Sequence, residues 1–242
     1  HKNSHFKKSH IMENLGIYIV MPQEAKNTIE NFGFVENISF KDSNPIFSLY
    51  EKNGIFLLTS KMHINNNTCN VGLNFSSLAA SILINDLKCK TVLNAGTCGS
   101  FKASAKIAQP FFISEVYQHD MNIPISAEWL EYSDQKTRLD SLYFMENMKI
   151  QTAVCSSSNS LTHTKNDLLK ISKNGATIKE MELSSFAKVS KLFGAEVISI
   201  KVVTDFIDDG EDNVQQFLIN LDKAQNVLSI KVLEFIYLFK TA

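Results

Sequence analysis

The spacing of apolar and polar positions changes several times along the chain, and each change marks an element. Residues 15–21, Leu-Gly-Ile-Tyr-Ile-Val-Met, form an unbroken apolar run of buried-strand length. Pro22 then suits the first turn of a helix reaching Gly33. Residues 46–50 and 54–60 predict two strands of a hairpin turning at Lys52-Asn53-Gly54, and residues 62–70 are an Asn-rich loop. Leu73, Leu78, Ile82, Leu83 and Leu87 predict an amphipathic helix over 72–87. Residues 91–95 predict a buried strand, followed by a glycine loop, Gly96-Thr97-Cys98-Gly99-Ser100.

The second half continues in the same manner. A strand over 111–117 closes at His119-Asp120, which reads as a solvated surface pair. A helix is expected over 134–146, a strand over 150–155 with a polar loop 156–161 at its end, and a short helix over 164–173 with Thr164 as cap and Asp167 at its third position. Phe186, Val189 and Phe193 recur as an apolar helical stripe ending at Gly194. Residues 197–203 are β-branched and apolar on both faces except at Lys201, as befits a strand covered on each side. Apolar positions 214, 217, 218, 221, 224, 228, 232 and 235 make 214–239 one long covering helix.

This order predicts a single α/β domain whose strand ends collect three carboxylates, Glu24, Glu182 and Asp205. Taken alone, Glu24 reads as a first-turn acid favouring the helix dipole. Together, three carboxylates without metal ligands suit proton transfer to and from a neutral polar substrate, or they are unrelated surface acids. Residues 1–13, polar and basic, read as a cloning remnant or disordered arm outside the domain, 14–242.

Composition narrows the function classes. The 24 basic and 25 acidic side chains balance, which argues against a nucleic-acid partner. No apolar run reaches the roughly 18 residues of a membrane span. Cys69, Cys89, Cys98 and Cys155 have neither CxxC pairing nor ligand-spaced histidines, so no metal site or disulfide framework is indicated, and a reducing, cytoplasmic setting is expected. Arg138 is the sole arginine, which disfavours a phosphate site built on guanidinium forks.

Asn94-Ala95-Gly96-Thr97-Cys98-Gly99, Lys179-Glu180-Met181-Glu182 and Val202-Val203-Thr204-Asp205 resemble the nucleoside phosphorylase and nucleosidase superfamily. Within it the likeness is nearest to 5'-methylthioadenosine nucleosidases of the plant type. Met21-Pro22-Gln23-Glu24-Ala25, His119-Asp120 with Ile123-Pro124-Ile125, and Ser160-Leu161 fall in the matching order, so the resemblance covers nearly the whole domain. It implies a three-layer α/β/α fold with a central, mixed, twisted sheet, and hydrolysis of an N-glycosidic bond without cofactor or metal.

Carried over, Asp205 would be the general acid at purine N7, a role that needs a carboxyl group protonated near neutral pH, which burial favours. Glu24 would activate water with help from Thr97 beside Gly99. Glu182 would accept the ribose hydroxyls while Met181 packs on the sugar. Leu161 would cover the adenine, and the backbone of Thr162 would read its edge. Val71 and Val214 would line the alkylthio pocket, joined by Ile123 and Pro124 of a second subunit in a homodimer. Glu24 stands in the region where phosphorylases of the superfamily place an arginine, which favours water as nucleophile.

Three positions depart from the family pattern: Leu183 and Ser100 where small residues are usual, and Asn159 in place of an acid. Leu183 narrows the ribose side of the site or repacks its helix. Competing readings are a phosphorylase or a hydrolase for another nucleoside, and a non-catalytic storage or nucleoside-binding member. S-adenosylhomocysteine is a possible second substrate.

Overall fold

The computed structural model describes residues 14–140, 142–210 and 212–241; the expected arm 1–13 lies outside them. In chain order the elements are β1 (Leu15–Tyr18), α1 (Pro22–Phe32), β2 (Val35–Glu36), α2 (Ile38–Ser43), β3 (Phe47–Lys52), β4 (Ile55–Ser60) and α3 (Leu73–Ser81). They continue with β5 (Thr91–Ser100), β6 (Pro110–Gln118), α4 (Ala127–Ser133), β7 (Thr137–Arg138), α5 (Leu142–Met148) and β8 (Gln151–Ser157). The last are α6 (Lys165–Lys173), β9 (Ile178–Glu180), α7 (Leu183–Leu192), β10 (Glu196–Phe206) and α8 (Asn213–Thr241).

The strands form one mixed sheet in the order β10-β6-β8-β9-β5-β1-β4-β3-β2, and β10 also pairs with β5. The pairings of β5, β10, β6, β8 and β9 therefore close into a ring, from which β1, β4, β3 and β2 extend as an open sheet. Strand alternation sends side chains to two cores. Val197 and Val203 of β10 join Phe186 and Ala187 of α7 and Ala79 and Ala80 of α3 on one face. Ile198, Ile200 and Val202 join Leu228, Val232, Phe235 and Phe239 of α8 on the other. Each of these large α8 side chains contributes about 1.5–3 kcal/mol by leaving water. The helix–sheet–helix layering matches the expected α/β/α fold, and Lys201, falling in the alternation of Val197 and Val203, faces the α7 side.

Local chemistry accounts for the elements that match. α1 starts at Pro22 and stops at Gly33, whose φ of 73° no β-carbon obstructs. Asn53 and Gly54, at φ 52° and 76°, make the two-residue turn between β3 and β4. Thr164 and Asp167 form a reciprocal capping box on α6.

Several expectations are corrected. The helix expected over 134–146 forms only from Leu142 on: α4 ends at Ser133, and β7 pairs with β6, with Lys136 and Arg138 both bridging Glu115. The short α5 follows, so partners on β6 override the local helical pattern. The glycine segment 96–100 is strand rather than loop, because β10 pairs with it through Ser100. The helix expected over 72–87 becomes a π-helical turn at Ile82–Asp86, closed by Leu87 N–H donating to the Ile82 carbonyl. Phe193 caps α7 and is half exposed; Leu183, Phe186, Ala187 and Ser190 form the buried stripe instead. His119 is buried, not a surface partner of Asp120: its Nδ1 lies 2.9 Å from Ser156 Oγ, and burial lowers its pKa.

Candidate active site

The strand ladder itself opens the site. β1 pairs with Thr91–Asn94 of β5, and β9 takes over on the same side only at Gly99 and Ser100. Among the described residues, no strand pairs with Ala95, Gly96, Thr97 and Cys98 on that side, so the sheet forks. A backbone amide left there needs an acceptor. Glu24, in the first turn of α1 just beyond β1, supplies it: Oε1 accepts from Thr97 N at 3.1 Å and from Thr97 Oγ1. Gly96 leaves room for the second oxygen, since a β-carbon there would stand 3.3 Å from Glu24 Oε2 and 3.7 Å from Lys201 Nζ. Burial raises the Glu24 pKa above its usual value, while the Thr97 hydroxyl and the Lys201 charge oppose the rise.

The other wall of the fork is the turn from β9 into α7. Glu180 accepts from Lys201 Nζ at 2.9 Å, from the Ser157 hydroxyl, and from the amides of Glu182 at 3.0 Å and Leu183 at 3.0 Å. It thereby caps the start of α7 and leaves the Glu182 side chain free to turn inward, where Oε1 accepts from Gly72 N at 3.1 Å. Gly72 has φ 94° and no space for a side chain: a β-carbon would meet Asn159 Oδ1 at 2.7 Å. Asn159, one of the three departures, accepts from Leu73 N at 2.9 Å and so caps α3 from a distant loop.

The charges of this cluster are unequal. Burial pushes Glu182 up to about 8, and Glu180 beside it adds to the rise. Burial acts upward on Glu180 as well, but Lys201, the Ser157 hydroxyl and the amide of Glu182 hold it below the ordinary carboxylate range. Lys201 is raised despite burial, because Glu180 and Glu182 outweigh the desolvation of its ammonium.

Asp205 sits near the end of β10, past a register shift after Val203. Its Oδ1 accepts from Thr204 Oγ1 at 2.9 Å and its Oδ2 from Asn213 Nδ2 at 3.0 Å, at the head of α8. The carboxylate leans over Gly99, where an added β-carbon would lie 2.8 Å from Oδ2 and 2.7 Å from Ile207 Cγ2.

One cavity of about 280 Å³ brings Glu24, Thr97, Gly99, Leu161, Met181, Glu182, Asp205 and Val71 together. Thr162 and Val214 do not line it; Phe217, one helical turn after Val214, does. Lys179 and Glu180 carry the resemblance without a role of their own in the sequence, and Asn213 carries no signal there. Lys201 carried the clearest signal, as the single charge in an otherwise apolar buried strand. The loop 62–70 is pinned by a Met62–Cys69 bridge and by Ser60 Oγ donating to Asn70 O. Burial and the nearby Glu24 and Glu182 push the Cys69 thiol up to about 11, which sets this loop beside the site. The other departures are structural: Leu183 is wholly buried in the α7 core, and Ser100 donates to the Thr177 carbonyl at 3.0 Å. All four cysteines are free, and among the described residues no helix is long and apolar enough to cross a membrane.

The family model described as the Phosphorylase superfamily matches residues 14–237. A 5'-methylthioadenosine nucleosidase of Arabidopsis thaliana is 32% identical over 170 residues, which are 69% of this chain and 64% of that protein. A 5'-methylthioadenosine/S-adenosylhomocysteine nucleosidase of the same plant is 30% identical over 149 residues, 60% of this chain and 59% of that protein. These matches span somewhat less than two thirds of either relative's length. The solved apo structure of Arabidopsis thaliana 5'-methylthioadenosine nucleosidase superposes with a TM-score of 0.90 at 26% identity, covering 96% of this chain and 97% of that one.

Proposed function

The chain belongs to the phosphorylase superfamily, and from that membership we propose that it is a nucleosidase, hydrolysing the N-glycosidic bond of 5'-methylthioadenosine to adenine and the 5-thioribose. The observation that carries the reading is the gathering of Glu24, Glu182 and Asp205 on one cavity from which arginine is absent. Arg138 lies on β7 bridging Glu115 at 3.2 Å, with most of its side chain in solvent, so no guanidinium is available there to grip phosphate. Water is the nucleophile this site favours.

In the proposed reaction the C1'–N9 bond breaks with its electron pair moving to the purine, and Asp205 delivers a proton to N7. Water adds to C1' and gives up its proton to Glu24, whose raised pKa brings it nearer the working range of a general base. Thr97, donating to Glu24 through both amide and hydroxyl, fixes the carboxylate's direction. Glu182 receives the ribose hydroxyls; their hydrogen bonds favour its ionised form, which burial and the neighbouring Glu180 disfavour. Met181 packs on the sugar, Leu161 covers the base and the Thr162 backbone reads its edge. Val71, with Phe217 alongside Val214, receives the 5' substituent.

The loop 62–70, which leads into Val71 of the cavity wall, is proposed to set whether S-adenosylhomocysteine is also accepted. The protein is proposed to act as a homodimer, with Ile123 and Pro124 of the partner copy completing the pocket. The test is adenine release from 5'-methylthioadenosine in phosphate-free buffer by the wild type and by Asp205→Asn. Release by the wild type, reduced about 10²–10⁴-fold in the variant, is expected. Release that requires phosphate, or binding without release, would overturn the proposal.

A further inference from the structure

Lys179 has no part in the mechanism above, yet it is almost wholly buried and lines the same cavity. Its Nζ donates to two successive backbone carbonyls, Ser160 O and, at 3.0 Å, Leu161 O. An ammonium has three N–H groups, so one is left for the cavity. The register places it tellingly: Gly99 of β5 pairs with Lys179 on β9 and with Asp205 on β10. Register partners on neighbouring strands project to the same face of the sheet. With no side chain on Gly99, Lys179 and Asp205 flank bare backbone at one end of the cavity.

Resting on the nucleosidase reading, we propose that Lys179 is a positioning residue for the purine. It pins the segment carrying Leu161 and Thr162 to β9, and it holds a positive charge across Gly99 from Asp205, where the base departs. Two consequences follow from ordinary electrostatics. The clamp keeps the stacking side chain and the edge-reading backbone in one place, because two charge-assisted hydrogen bonds from a buried ammonium tie adjacent carbonyls of an otherwise exposed segment to β9. The charge acts chiefly while the C1'–N9 electron pair moves onto the purine, since a fixed cation in a water-poor site stabilises charge as it develops. The first effect acts on binding and the second on kcat.

The experiment uses Lys179→Met and Lys179→Gln in the full chain, with folding checked by thermal melts. Three readouts are adenine release from 5'-methylthioadenosine, cleavage of a methylthioribosyl nitrophenolate whose leaving group needs little help, and calorimetric binding of free adenine. Both variants are expected to lose about 10²-fold in kcat for the adenine nucleoside and far less for the nitrophenolate. Gln, which keeps N–H groups for the carbonyls, is expected to bind adenine better than Met. If Met does not fold, Gln decides. Wild-type kcat in the Gln variant, or equal losses on both substrates, would overturn the inference, because a merely structural role scales both alike. Should the wild type itself release no adenine, the nucleosidase reading falls. Adenine binding then decides the clamp by itself: a tenfold loss in the Met variant sustains it, and unchanged affinity overturns it.

Discussion

Deleting the charge of Lys201 tests how the active-site fork is held. Its ammonium lies 2.9 Å from Glu180 Oε2, and each side chain is 2% exposed. Lys201→Met preserves the stem and its packing but leaves the Glu180 carboxylate buried with only the Ser157 hydroxyl and the amides of Glu182 and Leu183. Breaking a buried pair by removing one partner costs about 3–5 kcal/mol. For a chain of 242 residues each kcal/mol lowers the melting midpoint by roughly 2–4 °C, so a fall of roughly 6–20 °C is expected. Adding Glu180→Gln removes the stranded charge and keeps an acceptor for the amides, so the double variant should recover a large part of the loss. A coupling of about 2 kcal/mol or more between the two changes follows. Urea titrations followed by circular dichroism, with a common m-value, measure all four proteins. A Lys201→Met variant within about 1 kcal/mol of wild type, or a double variant as unstable as the sum of the singles, would refute the idea that the pair holds this wall.

Protonation makes a second prediction. Burial raises the pKa of Glu24 and pushes Glu182 up to about 8, both from 4.5. The folded state thus keeps protons that the unfolded chain releases; this stability is complete below the unfolded value and is lost as pH rises toward 8. The loss is roughly 1.4 kcal/mol per pH unit for each proton held, so urea midpoints of the ligand-free protein should fall from mildly acidic to mildly alkaline buffer. A flat or rising trend contradicts these assignments. Gly99→Ala places a methyl group 2.8 Å from Asp205 Oδ2 and 2.7 Å from Ile207 Cγ2. It should shift the carboxylate and reduce adenine release about 10²-fold or more; wild-type turnover in a folded variant would show that Asp205 does not depend on this gap.

Much of the molecule is legible in short stretches of sequence because the causes there are local. Pro22 and Gly33 bound α1, Asn53-Gly54 turns the hairpin, Thr164 and Asp167 cap α6, and Gly194, at φ 75°, follows α7, each by the conformational preference of one or two residues. The failures have non-local causes. Residues 134–146 carry a helical pattern, yet Lys136 and Arg138 meet Glu115 on a strand 21 and 23 residues earlier in the chain, and pairing wins until the helix starts at Leu142. His119 looks like a surface residue until Ser156 of the parallel strand β8 covers it.

The same division runs through the active site. From the sequence alone came the placing of the three carboxylates at strand ends, because alternation and strand length indicate where a chain leaves the sheet, whereas Gly99 read as loop until β10 and β9 paired with it. Only the tertiary structure decided that β1 stops four residues before β9 begins along β5, and that Glu24 fills the amide left open there. It also decided that Lys201 pairs with Glu180, leaving Glu182 raised and Glu180 depressed, although the two stand one residue apart. A carboxylate's charge state depends on which distant groups share its low-dielectric surroundings, and those distances are set by the packing of β8, β9, β10 and α7 together.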